Sequence, residues 1–330
     1  MDNGLLRAHV VWGLAASLLF LAVSAKPAQS AEAWPNRPIR FIVPFGAGGS
    51  YDIVARLVGS RLSETLGQSV LVDNRPGAAG RLGMAAAVKA PPDGYTLLML
   101  GDSQTIVPSV HKNVPYDLAR DLDYVSMVAT LMNTFVANPA LPVKTIAELV
   151  AYSKARPGEV RYASSGAGGI THLAPALLQI LTGADLSHVP YKSGAIAMNA
   201  IISGEVQMGM LNLVNALPQI QAGRLRVLAV TGGSRSSVLP DVPTAAESGA
   251  KGFDLRQFYA VAVPASTPRS IIQQLNREIV KFVASTEART QLAQQAAEPM
   301  SSTPEATRTF VLGEQAKYAA IVKQIGLSQD

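Results

Sequence analysis

The same tetrapeptide, Gly-Ala-Gly-Gly, occurs twice in this chain, at Gly46–Gly49 and at Gly166–Gly169. Each copy follows an apolar, strand-like run and precedes a segment with helical periodicity. In an open parallel sheet, ligands bind beyond the carboxyl ends of the strands, where a glycine-rich turn lets the backbone approach the ligand. The helix that follows directs its free N–H groups and its positive dipole end to the same point. Each turn therefore predicts a cradle for an anion, one in each half of a cleft.

Side chains with hydroxyl groups surround both turns. Ser50 follows the first turn, and Ser164, Ser165 and Thr171 surround the second. Neither turn is followed by the Lys-Ser/Thr pair of a P-loop, and the first lacks the third glycine of a dinucleotide fingerprint. The residue pattern thus favours a small anion over a nucleotide. The alternative is a pair of ordinary strand-to-helix turns whose glycines adopt positive φ.

Candidate catalytic and metal-binding groups are few. The chain has no cysteine, which excludes disulfides, thiolate metal sites and cysteine catalysis. His111 and His188 have no partner at metal-ligand spacing, and the motifs HExxH and GxSxG are absent. We expect the His172 ring to pack or hydrogen-bond locally in the first turn of its helix, with a general-base role as the alternative. We predict no metal, no cofactor and no enzymatic activity.

The elements that carry these turns alternate between strands and helices, which indicates an α/β class with parallel sheets. Strands are predicted at 39–45 and 95–102, and the segment 102–105 is predicted to be a loop. The Pro-bounded runs TFVANP and QFYAVAVP are the candidates for strands that cross between two domains. Local signals define several helix ends: Gly67 as a stop, Thr145 and Glu148 as a capping box, and Thr303 as an N-cap before Pro304.

Length and charge restrict the functional class. With 330 residues, 48% of them hydrophobic, the chain is long enough for two domains with sizeable cores. Its net charge of +5 favours small anionic ligands or an acidic surface as the partner. Because no basic run or basic–aromatic interleaving is present, we predict no nucleic-acid partner.

The N-terminus has the pattern of a secretory signal peptide. Arg7 precedes the apolar stretch Val10–Val23, and small residues follow it in AQSAEA. We predict a signal peptide at 1–33, cleaved near Ser30 or Ala33, and a protein exported to the periplasm. The alternative is a single N-terminal anchor helix.

Beyond these patterns, the chain resembles the Bug/TctC family, the periplasmic solute-binding proteins of tripartite tricarboxylate transporters. The matching stretches run collinearly from Trp34 to near the C-terminus and include WPNRPIRFIVPFGAGGSYDIVARLV, GQSVLVDNRPGAAGRLG, PPDGYTLLML, SSGAGGITHLAPALL, HVPYKSGAIAMNAIISGEVQMGM and LPDVPTAAESG. The resemblance implies a type II periplasmic-binding-protein fold, in which two α/β lobes are joined by crossing strands with a ligand cleft between them. The expected lobes are 34–132 plus 259–330, and 133–258.

The resemblance also implies which residues bind the ligand. In the family, the two glycine turns hold a ligand carboxylate through backbone N–H groups, hydroxyls and bridging waters. The expected first cradle is Phe45, Ala47, Gly48, Gly49 and Ser50, with Tyr51 and Asp52 beside it. The expected second cradle is Ser164, Ser165, Gly168, Thr171 and His172. Further residues expected in the pocket are Ser103, Thr105, Asn212, Phe258 and Tyr259.

Three departures from the family pattern fall near the expected cleft. Tyr51 replaces a small polar residue, Leu211 replaces an acidic residue of several members, and Phe258–Tyr259–Ala260 stands where Trp-Phe-Gly is common. We interpret them as a preference for an aromatic or less amine-bearing carboxylate. For Tyr51, a solvated helix-start residue and a lid over the ligand are both open.

The function implied is that of a monomeric binding protein. It captures a small carboxylate, closes by hinge rotation and delivers the ligand to membrane transporter subunits. One alternative is a periplasmic sensor that docks to a signalling receptor, and another is a periplasmic hydrolase that uses His172.

Overall fold

The computed structural model describes residues 34–236, 238–295 and 297–327. The predicted signal peptide, with its cleavage sites near Ser30 or Ala33, lies outside these residues. Chain contacts separate a segment that ends at Asn36 from a compact unit that begins at Arg37.

Eleven strands and ten α-helices make up the described part of this unit. The strands are β1 (Ile39–Val43), β2 (Val70–Asn74), β3 (Thr96–Gly101), β4 (Leu122–Leu131), β5 (Asn133–Ala137), β6 (Arg161–Ser164), β7 (Ser187–Pro190), β8 (Met208–Asn212), β9 (Arg226–Val230), β10 (Gln257–Pro264) and β11 (Ala297–Pro299). The helices are α1 (Ser50–Leu66), α2 (Arg81–Val88), α3 (Asp102–Val110), α4 (Ile146–Ala155), α5 (Ile170–Thr182), α6 (Gly194–Ser203), α7 (Leu213–Gln221), α8 (Arg269–Val283), α9 (Thr286–Ala293) and α10 (Pro304–Gln324).

The strands form two separate sheets, each covered by helices, so the predicted pair of α/β lobes is confirmed. The sheet of the first lobe has the order β11-β4-β10-β3-β1-β2, and the sheet of the second lobe has the order β7-β6-β8-β5-β9. The chain changes sheets across Met132, the only residue between β4 and β5, and changes back between β9 and β10. The finer lobe bounds predicted above, 34–132 plus 259–330 and 133–258, remain a proposal.

Both sheets are mixed, so the prediction of parallel sheets is wrong in part. β1, β2 and β3 are parallel, as are β6, β7 and β8. β10 runs antiparallel to β3 and β4, and β5 runs antiparallel to β8 and β9. A parallel neighbour requires a crossover connection on the same sheet. β5 and β10 instead enter their sheets directly from the other lobe. Because no crossover connection on the same sheet precedes them, they can run antiparallel to their neighbours.

Two helices pack into the hydrophobic cores of both lobes. In α10, Val311 belongs to a core cluster of the first lobe, whereas Tyr318 and Ile321 belong to the core of the second. In α3, Val107 packs into the first core and Ile106 into the second. The two lobes are thus linked by shared apolar packing as well as by the crossing strands.

Several local predictions are confirmed. Gly67 ends α1 in the left-handed conformation with φ of 67°. The Thr145 side chain accepts a hydrogen bond from the Glu148 N–H, and Thr303 caps α10 with Pro304 in its first turn. The predicted loop at 102–105 is instead the first turn of α3, because the Gln104 side chain accepts from the N–H of Gly101 and completes a cap there.

Candidate functional site

A cleft of about 670 Å³ lies between the ends of the two sheets. This volume is in the range of small-molecule sites, which is roughly 300–1,000 Å³. Residues of both glycine turns line it, Gly48 and Ser50 from one and Ser165 and Thr171 from the other. Its remaining lining residues are Ile53, Leu131, Asn133, Gly194, Ala195, Met198, Leu211, Asn212, Val214, Asn215, Pro218, Gln257 and Gln295.

The first turn is held from behind by an acidic side chain. Gly48 adopts φ of +79°, a conformation that favours glycine. Its N–H donates to Oδ2 of Asp52 over 2.9 Å, and the amide of Asn74 donates to Oδ1 over 3.0 Å. Although burial opposes the shift, hydrogen bonds from Arg56, the Gly48 N–H and Asn74 lower the pKa of Asp52. Asp52 therefore shapes the turn as an anion and does not face the cleft.

The second turn has the same design with a different side chain. Gly168 adopts φ of +81°, and its N–H donates to Nδ1 of His172 over 3.1 Å. Asp52 and His172 thus occupy equivalent positions, because each lies four residues after the glycine whose N–H donates a hydrogen bond to it. Burial lowers the pKa of His172, which favours the neutral form of the ring that can accept this bond. The expectation that His172 bonds locally is confirmed.

Each helix that follows a turn has a glycine as its N-cap residue. Gly49 precedes α1 and Gly169 precedes α5, and neither helix receives a side-chain cap. The first N–H groups of a helix need acceptors from outside the helix, and they carry the positive end of its dipole. The two helix starts therefore offer donor groups to an anion bound near Ser50 and Thr171.

Behind the second turn lies a cluster that the sequence did not reveal. His188 on β7 stacks on His172, with ring centroids 3.8 Å apart and planes inclined by 6°. His188 Nε2 lies 2.7 Å from Oγ of Ser164, which also accepts from the N–H of Gly166 and donates to its carbonyl oxygen. A serine and a histidine at this distance resemble a nucleophile and its base. Ser164 is nevertheless buried and committed to the turn, so the pair supports the backbone.

Tyr51 is buried beneath the first turn, which overturns both alternatives considered for it. Its hydroxyl lies 3.2 Å from Oδ1 of Asp102, and its ring contacts those of Phe45 and Tyr259 at centroid distances of 4.5 and 4.8 Å. Gly101 makes this possible, because a Cβ there would collide with the Tyr51 hydroxyl. The residue is part of the packing that joins the starts of α1 and α3.

The structure brings some predicted site residues to the cleft and places others behind it. Gly48, Ser50, Ser165, Thr171 and Asn212 line the cleft. Ser103 and Gly168 line a neighbouring cavity of about 180 Å³. Ala47 and Gly49 are exposed in the first turn, with Phe45 half-buried beside them. Their roles in binding remain predictions.

Besides the predicted residues that support the turns from behind, three more do not line the cleft: Tyr259, Phe258 and Thr105. Phe258 is fully buried in the core of the first lobe, where its ring packs against Phe310. Thr105 is also fully buried, and its hydroxyl donates to the carbonyl oxygen of Asp102 over 2.6 Å. The structure does not bring either side chain to the ligand region. Alternation along β10 and the helical start of α3 account for their directions.

Comparison with known proteins now identifies the family. The family model described as "Tripartite tricarboxylate transporter family receptor", TctC, matches residues 54–327. The chain belongs to the TctC family. Protein BugT of Bordetella pertussis is 38% identical over 311 residues, which cover 93% of this chain and 95% of BugT.

Three solved structures share the fold of this chain. The chain is similar to R. palustris Rpa4515 with adipate, at a TM-score of 0.77 and 34% identity, covering 89% of this chain and 99% of that one. It is also similar to periplasmic binding protein BugD, at a TM-score of 0.73 and 31% identity, covering 90% and 100%. MatC from Rhodopseudomonas palustris with bound malate matches at a TM-score of 0.70 and 26% identity, covering 88% and 100%.

In this TctC-family chain, the cleft is lined by neutral groups. None of its lining residues within the described part of the chain is charged. Five carboxamides line the cleft: Asn133, Asn212, Asn215, Gln257 and Gln295. Of these, only Asn212 was predicted. Asn133 and Gln257 lie where the chain changes sheets, and a polar residue at each predicted crossing was the signal that could have revealed them.

Two further results concern the described residues as a group. They contain no helix with the length and apolarity required to span a bilayer. They also contain no group of three or more His, Asp or Glu side chains placed to hold a metal ion.

Proposed function

We propose that this protein captures a small carboxylate in the cleft between its lobes and delivers it to a membrane transporter. The observation that carries the proposal is the pair of matched glycine turns at one cleft. Each precedes a helix without a side-chain cap, and each is shaped from behind by the residue four positions later. The adipate and malate bound by two similar proteins are ligands of this class.

The energetics favour a site that uses both lobes. About four to six charge-assisted hydrogen bonds, at roughly 1.5–3 kcal/mol each, give a gross gain of about 6–18 kcal/mol. Association costs about 4–15 kcal/mol, and micromolar binding requires about 8 kcal/mol net. One turn alone is therefore marginal, whereas two turns that exclude water between them suffice. We accordingly propose closure by hinge rotation around the crossing strands.

A thermal-shift screen tests ligand class. A ligand that binds only the folded protein raises its melting temperature by mass action. The panel contains aliphatic mono-, di- and tricarboxylates, benzoate and glutamate, with the matching alcohols as controls without a carboxylate. We expect at least one carboxylate, and none of the alcohols, to raise the melting temperature. Equal shifts with acids and alcohols would refute carboxylate recognition.

Hydroxyl variants test whether both turns are used. Ser50→Ala in the first turn and Ser165→Ala in the second each remove one hydroxyl from the cleft wall. The second change keeps the bond from the Ser165 N–H to the Thr171 hydroxyl. Each variant is expected to weaken binding of the best acid about tenfold, equivalent to about 1.4 kcal/mol. Ser109→Ala is a matched control on α3, where Ser109 lines neither cavity. A loss of affinity in only one of the two variants would contradict binding of the ligand by both turns.

Closure and delivery require separate measurements. Small-angle X-ray scattering is expected to show a smaller radius of gyration with saturating ligand, and an unchanged radius would refute closure. We also propose export with cleavage near Ser30 or Ala33, which mass spectrometry of periplasmic extract can test. Loss of uptake of the identified acid in cells lacking this protein is the expected result for transport, and unchanged uptake would exclude delivery.

A further inference from the structure

Asn133 has an unsatisfied donor on the wall of the cleft. It is the first residue of β5 and lines the cleft, yet it is only 1% exposed. Its Nδ2 is buried and has no hydrogen-bond partner among the described residues. A buried donor without a partner destabilises the protein that contains it. Such a group in a binding cleft points to a partner that arrives with the ligand.

Hydrogen bonds to the backbone of Asn133 hold the residue in the wall of the cleft. Its carbonyl oxygen accepts from the N–H of Thr231 over 3.0 Å and from the Thr231 hydroxyl over 3.3 Å. In the β5–β8 ladder, Asn133 is directly paired with Asn212. The Cα of Asn133 therefore keeps a fixed position at the point where the chain enters the second lobe.

Asn212 adds a second donor beside it. Its Oδ1 accepts from the N–H of Val214 over 3.0 Å and caps α7. This bond uses the acceptor end of the carboxamide and leaves Nδ2 as the group that can donate elsewhere. Paired residues on neighbouring strands lie about 4.5–5.5 Å apart at Cβ, so both amides can reach one ligand group.

The rest of the wall defines what that group can be. Leu211, Met198 and Ile53 supply apolar surface, and no carboxylate lines the cleft within the described residues to pair with a ligand ammonium. An ammonium group enclosed there would lose its hydration without a counter-charge, which is costly. An acceptor oxygen, by contrast, would satisfy the orphan donor.

We infer that Asn133 determines specificity. Its Nδ2 donates to an oxygen at the far end of the ligand, while the glycine turns grip the first carboxylate. The preferred ligands are thus acids with a second acceptor oxygen at the far end, most simply a second carboxylate, and no ammonium group. This inference rests on the proposed function.

The experiment is calorimetry of the full mature chain with matched acids: succinate, glutarate and adipate against butyrate, pentanoate and hexanoate, with glutamate as the ammonium-bearing acid. The wild type is expected to bind its best diacid about 10–100-fold more tightly than the monoacid of equal length, and more tightly than glutamate. The range follows from about 1.5–3 kcal/mol for a hydrogen bond to a charged group.

The variant Asn133→Leu keeps the approximate size of the side chain and removes the donor. It is expected to reduce affinity for the diacid about 10–100-fold and to leave the monoacid nearly unchanged. It should also raise the melting temperature of the unliganded protein, because an unsatisfied buried donor disappears. Asn215→Leu is the control, since Asn215 is an exposed amide at the same cleft.

The outcomes separate this inference from the proposed function. If no acid of the panel binds the wild type, the proposed function fails and the inference fails with it. If acids bind but Asn133→Leu leaves the preference for the diacid intact, or weakens both acids equally, only the inference fails. Tighter binding of glutamate than of glutarate would also overturn it.

Discussion

Replacing Asp102 by Asn is expected to stabilise the protein at neutral pH. Asp102 is the first residue of α3 and is 1% exposed. Burial raises the pKa of this carboxyl to about 6, although hydrogen bonds from the Tyr51 hydroxyl and the Gln257 side chain oppose the rise. An acid with a raised pKa in the folded state destabilises that state once it ionises.

The sign and size follow from the two pKa values. The unfolded carboxyl has a pKa near 3.9, so between about pH 4 and 6 the folded state binds more protons than the unfolded state. The stabilisation of the folded state by protonated Asp102 is therefore fully present below pH 4, and it is lost as the pH rises through 6. A difference of about two pKa units corresponds to about 3 kcal/mol. Asn remains neutral and can still accept the bond from Tyr51.

The assay is urea unfolding followed by circular dichroism between pH 4 and 8. The variant Asp102→Asn is expected to match the wild type near pH 4 and to exceed its free energy of unfolding by about 3 kcal/mol at pH 8. The control is Asp52→Asn, whose parent acid has a lowered pKa. This control should be less stable than the wild type at pH 8 and approach it in acid. Parallel pH profiles for the wild type and Asp102→Asn would refute the reasoning.

Three other changes test the histidine pair and two backbone positions with positive φ. Burial and the neighbouring His172 lower the pKa of His188 to about 4. Wild-type stability should therefore fall by about 1–2 kcal/mol as the pH drops from about 6.5 to 4, after allowance for the partial exposure of the ring. His188→Gln should flatten this fall in urea titrations, and an unchanged slope would count against it. Gly168 adopts φ of +81°, which disfavours any side chain, so we expect Gly168→Ala to lose about 1–2 kcal/mol in stability and to bind acids more weakly in calorimetry. Wild-type values for both would show that the turn tolerates a side chain. Ala79→Gly should raise the free energy of urea unfolding by about 0.5–1 kcal/mol, because Ala79 adopts φ of +55°, and a decrease would contradict this strain.

Features set by a few neighbouring residues could be predicted from the sequence. The stop at Gly67 and the cap at Thr303 depend on one or two side chains and the backbone beside them. The glycine turns followed the same logic, since a strand, a positive-φ glycine and a helix start lie within ten residues of chain. The alternation of strands and helices predicted the α/β class, whereas the division into two lobes was predicted from chain length and from the family resemblance.

The sequence pattern predicted neither the antiparallel direction of some strands nor the long strand β4 (Leu122–Leu131). β4 contains Ser126 and Thr130 among apolar residues and is buried along nearly all its length, so it shows no clean alternation. Its place between β10 and β11 depends on residues more than a hundred positions away. Such pairings are selected by the burial of the whole lobe.

The same distinction holds within the site. The sequence determined where two anion cradles could form, because their chemistry is carried by contiguous backbone. Only the tertiary structure decided what stands behind and between them: the Tyr51–Asp102 pair, the stacked His172 and His188, and the unsatisfied amide of Asn133. These contacts join residues from different strands and helices. Burial then sets their pKa values and hydrogen-bonding needs, and burial is a property of the packed fold.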